Sequence, residues 1–113
     1  MAIPSGSGTE VLKRAFLAGN NASWTEIFSG TANHIYTILS IICAENQGAA
    51  GTIQIRVNNG AADQRILAST AIASYGTFVW NDKFVLEGDD DLDVYNSTTS
   101  CDWWVSYIDQ DWT

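Results

Sequence analysis

Five acidic side chains fall within seven residues of this 113-residue chain, at Glu87, Asp89, Asp90, Asp91 and Asp93. A tryptophan pair, Trp103 and Trp104, follows ten residues later. The acids raise the question of a calcium site. Hard cations need six to eight oxygen ligands, and an EF-hand loop opens with acids at alternate positions before a glycine. Asp89, Asp91 and Asp93 meet the first part of that pattern, but Val94 stands at the glycine position and no glutamate closes the loop. In a strand, Asp91 and Asp93 would share the solvent face while Leu92 and Val94 turn to the core. The sequence therefore predicts a Gly-Asp turn feeding an edge strand whose acids deter pairing, and no metal site.

The tryptophans raise the question of sugar stacking. Neighbours in a strand point to opposite faces, so Trp103 and Trp104 cannot form one platform. Trp103 is expected in a core row with Cys101, Val105 and Tyr107, and Trp104 on the other face as an exposed interface anchor. Trp24, Trp80 and Trp112 are scattered and give no sugar-specific pattern. Nucleophilic chemistry finds no elbow motif around any Ser or Cys to serve the single histidine, His34. A Walker loop and a dinucleotide fingerprint are both missing, and one His with two Cys falls short of a zinc site. No catalytic residue, cofactor or metal is predicted, and the chain is expected not to be an enzyme.

The elements that would carry these residues read as strands. The segment 52-TIQIRVNN-59 alternates, with Ile53, Ile55 and Val57 on one face and Gln54, Arg56 and Asn58 on the other. An Asn-Gly turn at 58–63 should join it to a partner at 63–69. Residues 34–45 are apolar on both alternating faces, as in a central strand covered on both sides. Further strands are read at 10–18, 23–29, 77–87, 90–96 and 101–109, and only 61–73 could briefly be helical. About eight short strands with turn signals between them predict an all-β, antiparallel, jelly-roll-like sandwich over residues 9–113, in preference to a closed barrel. Residues 1–8, MAIPSGSG, read as a flexible N-terminal arm.

Composition narrows the function classes. Thirteen acids against five bases give a net charge of −8, with the bases dispersed. That argues against nucleic acid and against an anionic membrane surface. The longest apolar run, 35-IYTILSIICA-44, is strand length, well short of a spanning helix. The N-terminal residues lack the pattern of a signal peptide, so synthesis in the cytoplasm is expected. In that compartment Cys43 and Cys101 are expected to be buried free thiols rather than a disulfide.

Against these readings stands one resemblance. Tyr36, Ser40 and Ile41, then Gly76 and Thr77, then Leu86, Gly88, Asp89, Leu92 and Val94, and finally Ser106, Tyr107 and Asp109 follow a recurrent pattern. It resembles that of small virion proteins of tailed bacteriophages, over about two-thirds of the chain, with Asp109 where the pattern has Glu. The resemblance implies a non-enzymatic virion protein, made in the bacterial cytoplasm. Its implied role is a capsid decoration or cement subunit on the major capsid protein; tail or fibre placement is the alternative. Cement subunits often form cyclic oligomers, so a homotrimer is expected. The contact elements expected are the arm and first strand, through Ile3, Pro4, Val11 and Leu12, with Trp104 and Trp112. A carbohydrate-binding module for host attachment, using Trp104 or Trp80, is the reading from a different class.

Overall fold

The alternating apolar residues of 53–57 bury one face of a strand, and that face needs an opposing layer. In the structure, a computed structural model describing residues 9–21, 23–97 and 100–112, a second sheet supplies it. Among the described residues there are nine strands: β1 (Thr9–Asn20), β2 (Thr25–Ser29), β3 (His34–Glu45), β4 (Gly51–Asn58), β5 (Asp63–Ile72), β6 (Thr77–Trp80), β7 (Phe84–Glu87), β8 (Asp91–Asn96) and β9 (Cys101–Asp111). One sheet runs β1-β9-β3-β6, with β7 also on β3; the other runs β2-β8-β4-β5, and all pairings are antiparallel. This is the jelly-roll order. The residues proposed as an arm, 1–8, lie outside the described part.

The eight expected strands become nine because 77–87 is interrupted. Thr77–Trp80 pairs with Ile41–Ala44, and Phe84–Glu87 pairs with Ile35–Ile38 on the same strand. The break faces an irregularity in β3, where the register against β9 shifts between Ile38 and Ser40. One extra residue, Leu39, bends the strand, so a single straight partner cannot follow it. The segment 61–73 is not helical: Asp63–Ile72 forms β5, because its apolar residues pair with β4 across the Asn-Gly turn. Gly60 holds that turn at φ 88°, a conformation glycine adopts without Cβ strain.

The core comes from alternate residues of both sheets. Ile38, Ile41, Cys43, Trp103 and Val105 from one sheet meet Ile53, Ile55, Leu92 and Val94 from the other. The predicted row of Cys101, Trp103, Val105 and Tyr107 is buried. Two corrections follow from the sheet order. First, β8 is no edge strand. It lies between β2 and β4, and Asp93 is buried against Arg56, whose Nε donates to the Asp93 carboxylate at 3.0 Å. Second, β3 is central in its sheet but only one face is buried, while Ile35, Leu39 and Ile42 remain half-exposed on the other.

Polar groups tie the layers together at two places. Asn96, fully buried on β8, accepts from Asn20 Nδ2 at 2.8 Å and from Trp103 Nε1 at 3.2 Å, and donates to the Asn20 carbonyl at 3.1 Å. These bonds cross from one sheet to the other. Glu45, at the end of β3, accepts backbone N–H bonds from Gln47, Gly48, Ala49 and Tyr75 at 2.7–3.0 Å. Those bonds, the one from Tyr75 foremost, outweigh desolvation and hold its carboxyl below the usual range. They also fix the β3–β4 turn beside the turn before β6.

Candidate functional site

From Glu10 to Phe16 the even-numbered side chains of β1 face away from the core. Leu12, Arg14 and Phe16 stand opposite Ile108, Ser106 and Trp104 of β9. The same row continues onto β3 and the outer strands, because Thr37 pairs with both Ile108 and Val85, and Ile42 with both Trp104 and Val79. One face of the five-stranded sheet thus carries large apolar side chains on every strand, with Arg14, Thr37, Ser40 and Ser106 between them. Its large side chains are open to solvent: Leu12 is 72% exposed, Val85 59%, Phe16 52%, Val79 48% and Trp104 41%. Phe16 and Trp104 stack with ring centroids 5.6 Å apart and planes at 20°. The Arg14 guanidinium lies 4.9 Å from the Trp104 ring centroid and 5.3 Å from that of Phe16, a cation–π arrangement. A hollow of about 590 Å³ beside Trp104 is lined by Leu12, Arg14, Leu39, Ser40 and Ser106.

The residues expected to make contacts separate in the fold. Leu12 and Trp104 share this face. Val11 stands opposite Asp109, on the sandwich side of β1, and is 42% exposed. Trp112 lies at the opposite end from the Phe16–Trp104 stack, half-buried, with its backbone N–H donating to the Asn33 carbonyl at 2.9 Å. It lines a cleft of about 320 Å³ with Asn33, His34, Ile35, Glu87 and Gly88. Ile3 and Pro4 lie outside the described residues. The sequence reading missed Phe16, Val79 and Val85. A signal for Phe16 was present, since it alternates with Leu12 and Arg14, but its partner Trp104 becomes visible only through the β1–β9 register.

The polar residues weighed as chemistry are engaged in the scaffold. Asp109 accepts from Lys13 Nζ at 2.8 Å and from His34 Nδ1 at 2.7 Å, with Asp111 3.6 Å from His34 Nε2. Desolvation raises the Asp109 carboxyl pKa, but the Lys13 and His34 bonds prevail and hold it below the usual range. In the acidic stretch, Asp90 caps the Glu87 N–H, Asp91 accepts the Ser29 hydroxyl and Asp93 holds Arg56. Among the described residues no group of three or more His, Cys, Asp or Glu side chains converges as a metal cage. Cys43 and Cys101 are both buried and form no disulfide, and burial, with Cys101 beside it, pushes the Cys43 thiol far up. Trp24, on the outer face of the other sheet, lies under the guanidiniums of Arg56 and Arg65 at 4.1 and 4.7 Å.

No protein-family model matches the chain, and no curated protein sequence matches it. Among solved structures it is similar to a chain of the Bacillus endospore appendages, described as a family of disulfide-linked pili. Identity is 14% and the TM-score 0.59, over 100% of this chain and 97% of that one. A tumour-necrosis-factor structure, Eiger of S. frugiperda, aligns at 12% identity and TM-score 0.39, over 88% and 90% of the two chains. The first of these likenesses shows a shared β-sandwich fold.

Proposed function

We propose that this chain is a non-enzymatic structural subunit of a tailed-bacteriophage particle, placed on the capsid surface as a decoration protein that binds the major capsid protein. The observation that carries the reading is the apolar outer face of the five-stranded sheet, with the Phe16–Trp104 stack in solvent. A soluble monomer rarely exposes so many large apolar side chains on one face, and such surfaces mark interaction sites. The sequence pattern from Tyr36 to Asp109 supplies the virion assignment. A net charge of −8 suits an exterior position, away from packaged DNA.

The fold likeness to a pilus chain favours a second reading, a subunit of a filament or tail fibre. Cys43 and Cys101 would not supply disulfide links of the kind named for that pilus, since both lie within the core. Densitometry of purified particles against the major capsid protein separates the two. Hundreds of copies per particle, with density for the chain on the shell, support decoration; a few copies at the tail support the second reading. Absence from the particle overturns both.

A further inference from the structure

We infer that the outer face of the five-stranded sheet binds the same face of a second copy, forming a two-fold, sheet-on-sheet dimer. The inference rests on reading the chain as an assembly subunit and adds which surface joins the subunits and by what symmetry. Size is the first argument. Four strand lanes at about 4.8 Å spacing and about nine residues of strand give a face of roughly 20 by 30 Å. Each copy would bury about 600 Å², and the pair about 1,200 Å², above the threshold of about 1,000 Å² for a specific interface.

Charge is the second argument. Two copies at −8 each repel unless they meet where acids are sparse. On this face Glu10, Glu87 and Asp102 sit at the ends of the strands, and Asp102 is engaged by the Gly19 N–H and the Asn46 amide. Between those ends lie Leu12, Phe16, Leu39, Ile42, Trp104 and Ile108, with the uncharged Thr37, Ser40 and Ser106 among them and Arg14 lying on the aromatic stack. An aromatic stack beside a hollow on the same face lets each copy seat side chains of the other, which is the isologous contact of a two-fold dimer.

The test is the oligomeric state of the full chain by light scattering from about 1 to 100 µM. A dimer is expected. Trp104→Lys and Phe16→Lys should each weaken it at least about 100-fold, because an isologous interface carries every change twice. Circular dichroism should stay that of the native sheet, since both side chains are on the surface. Ser106→Cys, at the middle of the face, should cross-link to itself under mild oxidant, while buried Cys43 and Cys101 do not. A wild-type monomer at 100 µM, an oligomer untouched by both lysine variants, or a trimer would overturn the inference. The functional reading fails separately, by absence of the chain from particles, whatever the mass in solution.

Discussion

Replacing Asn96 by alanine should separate the two sheets energetically at one end of the sandwich. The change removes at least three hydrogen bonds, among them two accepted from Asn20 Nδ2 and Trp103 Nε1 and one donated to the Asn20 carbonyl. Each is worth about 1 kcal/mol net, but a buried partner left unsatisfied costs about 1–3 kcal/mol instead. Trp103 is 1% exposed and Asn20 8%, so water reaches the orphaned groups poorly. The expected loss is about 3–5 kcal/mol, a large part of the roughly 5–15 kcal/mol that holds a domain of this size. The melting temperature should fall by roughly 12 °C or more. Urea unfolding with an unchanged slope gives the free energy directly, and exposed Gln64→Ala serves as the neutral control. A loss below about 1 kcal/mol would refute the claim that these bonds clamp the layers together.

Three other outcomes are expected. The folded pKa of Asp109 lies below its unfolded value near 4. Its stabilisation is therefore complete above that pH and disappears as pH falls through the folded pKa; Asp109→Asn should flatten the acid limb of a stability–pH curve, and an unchanged limb would count against it. A thiol reagent should leave Cys43 and Cys101 unlabelled in the native protein and label both in denaturant, because both lie buried out of its reach and burial also raises the Cys43 thiol pKa; labelling of the native protein within minutes would contradict the packing. Gly30→Ala should cost at least about 1–3 kcal/mol in chemical unfolding, because a Cβ there would lie 2.5 Å from the Gly88 carbonyl oxygen and 2.9 Å from that of Asp90.

What could be read before folding was local. Ile53, Ile55 and Val57 announced their strand by alternation, the Asn-Gly pair announced its turn, and Trp103 fell in the predicted core row. The acidic stretch was misread because edge or interior position is a property of pairing between distant segments. Nothing within 89–93 shows that β2 and β4 will flank it, or that Arg56 will neutralise Asp93. The extra residue at Leu39 was equally hidden, since a bulge shows only against a partner strand. The apolar outer face was half-legible. The two-faced apolarity of 34–45 signalled a cover on both sides, and the described residues bury only one.

The four-amide grip of Glu45 has a dynamic corollary. One carboxylate holds amides from both connections at that pole, at Gln47, Gly48 and Ala49 and across at Tyr75. Releasing it frees both at once, so these loops should breathe as a single unit and exchange their amide hydrogens at a common rate. The charge on that carboxylate is then the latch for a whole end of the molecule, and a proton on it is the release.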